Sequence, residues 1–165
     1  MLEAIKKLAA EIGQPVCVQE FIEGPEVYCL LLAEKQIHSL GVAEVYASRG
    51  PKKDGDYLEF KDHCLTGGML YRPPTVAAGV IEDVVKHSKH VNHVLEMSGL
   101  TRIDYRIQDD GTPAVIDIAD NPGTSPASAL AYILQQSDFP MADIDLLILG
   151  VGLRDVRCLD QGGQN

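Results

Sequence analysis

The chain has 165 residues, of which 45% are hydrophobic, and it carries a formal net charge of -10 at pH 7. That length and apolar content suffice for one core, so we expect residues 1–165 to form a single domain or a compact part of a larger one. The negative charge argues against nucleic acids and anionic membranes as partners, because their phosphates require a basic surface. Four dispersed cysteines, without a C-x-x-C pair or a leader peptide, indicate reduced thiols and a cytoplasmic location.

The predicted elements begin with a helix over residues 2–12, whose apolar side chains recur at helical spacing until Gly13 and Pro15 end it. Runs of aliphatic and aromatic residues then predict three strands, at 15–22, 26–33 and 36–47. Residues 48–74 are rich in Gly, Pro and Lys, which predicts a long loop or lid.

A second long helix is predicted over residues 75–99. Its expected buried stripe consists of Ala77, Ile81, Val84, Val91 and Leu95. His87, His90 and His93 follow at steps of three, and at about 100° per residue these steps drift by roughly 60° each. Because the three rings then fan around the helix, we expect a solvated face in preference to a metal site.

The next segment is a predicted hairpin, since polar and apolar residues alternate on both sides of an Asp-Gly pair at 110–111. With that pair at the turn centre, Asp104 lies opposite Asp117 and Arg102 lies opposite Ala119. The core face should carry Ile103, Tyr105, Ile107, Ala114, Ile116 and Ile118. The other face should carry Arg102, Asp104, Val115, Asp117 and Ala119.

Two opposed acids need a positive charge between them, because like charges directly opposite are destabilising. Arg102 and Arg106 on the same face could supply it, as in an ordinary surface hairpin. A hard divalent cation, Mg²⁺ or Mn²⁺, could supply it instead. The residue pattern leaves both explanations open. Helices near 126–137 and 141–150 complete a predicted α+β fold, a largely antiparallel sheet flanked by helices.

Several motifs, in order along the chain, resemble those of a known enzyme family. "RID", "DG" and "AVIDIADNPGTSPAS" are similar to the C-terminal signature of ATP-grasp ligases, most closely the D-alanine–D-alanine ligase branch. "VCVQEFIEGPEVYCLLL" resembles the family's hinge strand and Gly-Pro-Glu turn, "YLEFKD" its lid lysine segment, and "LYRPP" precedes a helix at the expected place. The resemblance implies a C-terminal ATP-grasp domain that uses ATP, Mg²⁺ (or Mn²⁺) and small amino acids.

The resemblance also implies roles for individual residues. Asp104 and Asp117 match the carboxylates that hold Mg²⁺ between nucleotide phosphates, and Arg102 matches the arginine that stabilises the transferring phosphoryl group. Lys61 matches the lid lysine on the phosphates, and Glu26 the acid that binds ribose hydroxyls. The adenine hinge would be formed by Gln19, Glu20, Phe21 and Ile22, and the second amino acid would be held by Gly123 and Ser128.

Four of these residues have an ordinary structural alternative. Glu26 could be the solvated acid of a turn, Lys61 a loop lysine and Phe21 a core residue. Ser128 is a favourable helix N-cap, a role that needs no ligand.

The sequence also departs from the family pattern. Ala119 stands where the family has a metal-binding Asn, so a second Mg²⁺ depends on Asp120 or Asn121. Asp117 is shorter than the usual Glu, and Gln19 replaces the usual hinge acid, although an amide oxygen still accepts from the adenine amino group.

Three functions are weighed on this basis. The first is an ATP-dependent carboxylate–amine ligase of the peptidoglycan type, here as a C-terminal part whose N-terminal domain and Gly/Ser-rich phosphate loop are absent. Such a part is expected to be inactive alone and to need the missing half or a second copy. The second is a non-catalytic nucleotide-binding or interaction module. The third, a metal-dependent phosphohydrolase, leaves the hinge and lid motifs unexplained.

Overall fold

The computed structural model describes residues 2–47 and 69–136. Its elements are α1 (Leu2–Ile12), β1 (Glu26–Ala33), β2 (Ile37–Ala47), β3 (Met69–Arg72), α2 (Ala78–Val94), β4 (Gly99–Ile107), β5 (Pro113–Ala119) and α3 (Ala129–Gln135). The strands form one five-stranded sheet in the order β3-β2-β1-β4-β5. Every neighbouring pair is antiparallel, which confirms the predicted α+β class. In the described ranges no helix has the length and apolar character needed to cross a bilayer.

The predicted first helix and the strands β1 and β2 are confirmed, and Gly13 ends α1 with a positive φ of 65°. The strand predicted over 15–22 is wrong, because these residues are irregular and join none of the sheet's ladders. A run of apolar residues favours an extended chain, but a strand also needs a hydrogen-bonded neighbour.

The predicted loop over 48–74 is wrong at its end, because β3 (69–72) pairs with β2 and completes the sheet. Residues 48–68, with Lys61 and Cys64, lie outside the described residues, as do the predicted helix at 141–150 and Cys158. The two described cysteines, Cys17 and Cys29, are free thiols, as predicted.

Helix α2 is shorter than predicted, and its buried stripe differs. The fully buried positions are Val84, Ser88 and Asn92, whereas Ala77 and Leu95 are exposed. The two polar residues are buried because β4 offers them partners. Ser88 Oγ lies 2.9 Å from the Tyr105 hydroxyl, and Asn92 Nδ2 donates to Thr101 Oγ1 at 3.0 Å. His87, His90 and His93 are exposed, so the predicted solvated face is confirmed.

The hairpin confirms the predicted pairs Asp104–Asp117 and Arg102–Ala119. Next to the loop the pairing is shifted by one residue from the predicted register, and a β-bulge between Asp104 and Tyr105 compensates for the shift. Beyond the bulge Tyr105 pairs with Val115. Val115 therefore lies on the Tyr105 face and Ala114 on the Arg106 face, which reverses the prediction for both.

Each face of the sheet has its own apolar cluster. One face packs against α3, and its buried members are Tyr28, Leu30, Ala43, Val45, Leu100, Ala129, Leu130, Ile133 and Leu134. The other packs against α2, with Val27, Cys29, Leu31, Val84, Ile103, Tyr105 and Ile107 buried. Strand β1 is buried on both faces, so its continuous apolar run follows from its central place.

A buried carboxylate fixes the segment that leads into α2. Glu44 accepts hydrogen bonds from Arg72 Nε at 3.0 Å and from the Thr75 amide and hydroxyl at 2.8 and 2.6 Å. Burial alone would raise the pKa of Glu44, but the bonds from Thr75 and Arg72 outweigh it and hold the pKa below its ordinary value. The acid therefore ties β2 to β3 and to the start of α2.

Glu44→Gln should lower the free energy of unfolding at pH 7 by about 1–3 kcal/mol, because a neutral amide cannot keep the charge-assisted bonds from Arg72 and Thr75. The lowered pKa means that Glu44 contributes stability above pH 4.5, and that this contribution disappears as the pH falls through the folded value. Urea unfolding at pH 7 and pH 3 measures both effects. Glu3→Gln, at a 95% exposed side chain, is the matched control. An equal loss of stability at both pH values would contradict the prediction.

Candidate functional site

One face of the sheet concentrates charged side chains at its β1–β4 centre. Glu26 lies directly opposite Arg106, and Tyr28 directly opposite Asp104. Directly opposed residues of antiparallel strands share a face. Because residues two apart also share a face, Arg102 joins this group. We call this surface the site face. It is the side of the sheet that packs against α3.

Arg102 lies between the two opposed acids. Its Nε donates to Asp104 Oδ1 at 2.7 Å and its Nη2 to Asp104 Oδ2 at 2.8 Å, which makes a two-pronged contact. The same Nη2 lies 3.7 Å from Asp117 Oδ2. The two acids differ in environment, because the Asp104 side chain is 5% exposed and that of Asp117 is 62% exposed. Arg102 thus supplies the positive charge that the hairpin pattern requires.

Burial raises the pKa of Asp104 to about 6, although the Arg102 guanidinium opposes this shift. The negative charges of Asp117 and Glu26 add to the rise. Arg102 stays firmly protonated: burial would lower its pKa, but the hydrogen bonds and charge of Asp104 raise it above its ordinary value. The charged form of Asp104 is therefore costly in this structure and gains from any further cation.

Glu26 is held by a second arginine, Arg106, whose Nη2 lies 3.0 Å from Glu26 Oε2. The side chain of Glu26 is 11% exposed and that of Arg106 is 7% exposed. Arg106 Nη1 also donates to the Gly24 carbonyl at 3.0 Å, and its guanidinium carbon lies 5.2 Å from the centre of the Phe21 ring. Gly24 has no room for a side chain, since a Cβ there would lie 1.8 Å from the Ile107 carbonyl oxygen. The turn before β1 is therefore fixed against the end of β4.

An open cleft of about 360 Å³ lies between the segment before β1 and the β4–β5 loop. Its lining residues are Glu20, Phe21, Ile22, Glu23, Gln108, Asp109 and Asp110. Phe21 is 47% exposed as a whole residue, which argues against its alternative as a core residue. Gln19 is exposed next to this cleft but does not line it.

The two residues predicted to hold a second amino acid lie in the loop between β5 and α3. Gly123 is exposed, with no atom within 4 Å of where a Cβ would stand. Ser128 is the N-cap of α3, and its Oγ accepts from the Ala131 amide at 3.2 Å. Ser128 therefore has the capping role that needs no ligand. Its hydroxyl proton stays available for donation to a ligand.

The structure brings the predicted residues Glu26, Arg102, Asp104 and Asp117 together on or beside the site face. The alternative of Glu26 as a solvated acid is wrong, because Arg106 and Tyr28 engage it in the sheet. The sequence interpretation missed Tyr28, which carries no charge. The signal that could have found it is its spacing, two residues after Glu26 on the same strand face.

Comparison with known proteins decides the family. The family described as D-ala D-ala ligase C-terminus matches residues 1–148. The chain belongs to this family. Its curated relatives include the D-alanine–D-alanine ligase of Porphyromonas gingivalis W83, 23% identical over 158 residues that make up 95% of this chain and 46% of the relative. The ligase of Cupriavidus pinatubonensis is 28% identical over 148 residues, or 86% of this chain and 43% of the relative.

Solved structures of ligases share the fold of this D-ala D-ala ligase C-terminal domain. The Bacillus anthracis D-alanine–D-alanine ligase complexed with ATP superposes with a TM-score of 0.73 at 21% identity, covering 96% of this chain and 48% of that one. The VanG D-Ala:D-Ser ligase of Enterococcus faecalis gives 0.68 at 21% identity, with 91% and 42% covered. The chain spans less than half the length of the curated relatives it matches.

The donor set of the domain fits one hard divalent ion. Within residues 2–47 and 69–136 no group of three His, Cys, Asp or Glu side chains could hold a metal. Mg²⁺ in phosphate sites typically needs only one or two carboxylates, with phosphate oxygens and waters completing its shell. Asp104 and Asp117 meet that requirement, but Arg102 competes for the same carboxylate oxygens. Ala119, opposite Arg102, offers no side-chain ligand for a second ion.

Proposed function

We propose that this domain is the nucleotide-binding part of an ATP-dependent carboxylate–amine ligase, of the type that joins two D-alanines or related amino acids. ATP would phosphorylate one carboxylate, and the amine of a second amino acid would attack the acyl phosphate, releasing ADP and phosphate. The observation that carries this proposal is the site face, where an arginine lies between two opposed carboxylates beside a third, mostly inaccessible acid. The family membership supports it.

The phosphate end of the nucleotide would lie over the hairpin. Asp104 and Asp117 would hold Mg²⁺ (or Mn²⁺), which when bound would neutralise the phosphate charge. Arg102 already lies between these acids and would turn its free edge toward the transferring phosphoryl group. Lys61, from the predicted lid, would add a point charge on the phosphates.

The nucleoside end would occupy the cleft before β1. Residues 19–22 would contact adenine, with backbone groups reading its edge and the exposed Phe21 ring covering its plane. Glu26 would accept from ribose hydroxyls, since an ionised carboxylate has about four acceptor sites and only some are used here. Gly123 and the Ser128 hydroxyl would hold the second amino acid. We also propose that the domain is cytoplasmic, because ATP is plentiful there.

The 165-residue chain alone should bind ATP in the presence of Mg²⁺ but should not ligate D-alanine. Positioning both reactants supplies much of such a rate enhancement, and relatives are about twice as long as this chain. Calorimetry with ATP, with Mg²⁺ and with chelator, tests the binding. A coupled assay for ADP release with D-alanine tests the reaction. Absence of ATP binding would refute the proposed function, and D-alanine-dependent ADP release would refute the expected inactivity.

A non-catalytic nucleotide-binding or interaction module is the second candidate. Two observations favour it: Ala119 supplies no metal ligand, and Arg102 already satisfies the buried Asp104. A module of this kind would bind ATP equally well with Mg²⁺ and with chelator, so the calorimetry above separates the two candidates.

Ala119→Asn should tighten Mg²⁺-dependent ATP binding about threefold to tenfold, because the new amide oxygen would replace a water ligand. Ala119 lies two residues from Asp117 on the same strand face, opposite Arg102. The gain should disappear in chelator. Ala114→Asn, on the same face but beyond the bulge opposite Arg106, is the control and should show no metal-dependent gain. Equal ATP affinities of parent and Ala119→Asn in Mg²⁺ would contradict the prediction.

A further inference from the structure

Tyr28 lies at the centre of the site face and is fixed there. It stands on β1 between Asp104 of β4 and Ala43 of β2. Tyr28 is 2% exposed, and the centre of its ring lies 6.2 Å from the centre of the Tyr71 ring. A buried aromatic side chain with two rotatable angles, packed on several sides, is a rigid support for whatever touches it.

The hydroxyl end of Tyr28 orients the acid proposed to bind ribose. It donates to Glu26 Oε1 at 3.1 Å, while Arg106 holds Glu26 Oε2 at 3.0 Å. Burial raises the pKa of Tyr28 well above its ordinary value, so the hydroxyl keeps its proton and remains a donor. With both oxygens held, the plane of the Glu26 carboxylate is fixed, and its unused lone pairs point in set directions.

The ring of Tyr28 supports the arginine proposed to bind phosphate. The guanidinium carbon of Arg102 lies 4.5 Å from the ring centre, a cation–π distance that matters most where water is excluded. The edge of the same guanidinium faces Asp104, which accepts two bonds from it. Asp104 therefore contacts the edge of the Arg102 guanidinium, and the Tyr28 ring contacts one of its faces.

We propose that Tyr28 is a positioning residue that sets the spacing between a ribose subsite at Glu26 and a phosphate subsite at Arg102. This inference rests on the proposed function, and it deepens it by adding a residue that orients both ends of the nucleotide. One rigid side chain contacts both subsites, so the two ends of the ligand are oriented together. A ligand lacking either the ribose hydroxyl or the phosphates would engage only one end.

Two substitutions separate the two contacts. Tyr28→Phe removes the hydroxyl and keeps the ring, so the preference for ATP over 2′-deoxyATP should fall about threefold to tenfold. Its preference for ATP over adenosine should stay within about twofold of the parent. Tyr28→Leu removes the ring as well, so both preferences should fall. Calorimetry of the full chain with Mg²⁺ and these three ligands measures both ratios.

Tyr105→Phe is the matched control. It removes an equally buried hydroxyl, on the opposite face of the sheet and bonded to Ser88, and should leave both ratios unchanged. In a Glu26→Gln background, adding Tyr28→Phe should lower the preference for ATP over 2′-deoxyATP only slightly further, because the two residues act through one contact. In the ligand-free chain, the Nε–H NMR signal of Arg102 should move in Tyr28→Leu and stay in place in Tyr28→Phe.

The outcomes distinguish this inference from the function on which it rests. If the parent chain binds no ATP, the proposed function fails and the positioning role fails with it. If the parent binds ATP and Tyr28→Phe keeps the full ribose preference, the positioning role alone is refuted. An unmoved Arg102 signal in folded Tyr28→Leu would also refute it, whatever the nucleotide affinities.

Discussion

Asp104→Asn should strongly weaken Mg²⁺-dependent ATP binding and at the same time stabilise the ligand-free chain at pH 7 by about 1–3 kcal/mol. Binding weakens because the amide carries no charge for the metal, and we expect at least a hundredfold weaker affinity, or about 2.7 kcal/mol. Stability increases because burial raises the pKa of Asp104 to about 6 in the folded chain, from 3.8. An Asn imitates the protonated acid, the form that the folded site prefers.

The sign of this effect follows from proton binding. Because the folded chain binds the Asp104 proton more tightly than the unfolded chain, its stability decreases as the pH rises from about 3.8 to about 6. Asp104→Asn should remove that slope. Urea unfolding of both proteins between pH 4 and 7 is the measurement. Asp117→Asn, at a 62% exposed side chain, is the control and should change stability by less than about 0.5 kcal/mol. Identical slopes in parent and Asp104→Asn would contradict the prediction.

Arg106→Met should lower the free energy of unfolding by about 3–5 kcal/mol, because it leaves the Glu26 carboxylate buried without its cation. The loss is large since both side chains are nearly inaccessible, with the nitrogen and oxygen 3.0 Å apart. The contact with the Gly24 carbonyl is lost as well. Urea unfolding monitored by circular dichroism gives the value.

A double replacement separates a lost partner from general damage to the core. Arg106→Met combined with Glu26→Leu should recover most of the stability, because a well-packed apolar pair can replace a buried ion pair. Lys7→Met removes one side of an exposed pair on α1, at 3.9 Å from Glu11, and should cost less than about 0.5 kcal/mol. A single Arg106→Met variant as stable as Lys7→Met would show that the buried pair contributes little.

The hairpin shows how far alternation alone can predict a site. The pair Asp104–Asp117 follows from the period of two and the position of the turn, and it is confirmed. The faces of Ala114 and Val115 were predicted wrongly, because alternation cannot reveal a bulge that inserts one residue into a single strand. The error stops short of Asp117 because the bulge lies between that residue and the loop.

Helix α2 and the segment before β1 show what local sequence patterns cannot predict. Ser88 and Asn92 are buried because Tyr105 and Thr101 on the following strand accept or share their hydrogen bonds, and no pattern within the helix reveals such partners. Residues 15–22 are rich in apolar residues, as a strand is, but they have no strand to pair with. Local patterns predict which residues are extended or helical, whereas neighbours in the fold decide pairing and burial.

The two acids of the site differ in how firmly the sheet holds them. Asp104 stands on β4, which has hydrogen-bonded neighbours on both sides, whereas among the described strands β5 with Asp117 lies at the sheet's edge next to a bulge. Amide protons of an edge strand exchange with solvent through smaller openings than those of a central strand. The site therefore joins a fixed carboxylate to one that can shift by small local motions. Under the proposed function, such a pair would follow a ligand whose charge and geometry change while β4 keeps its position.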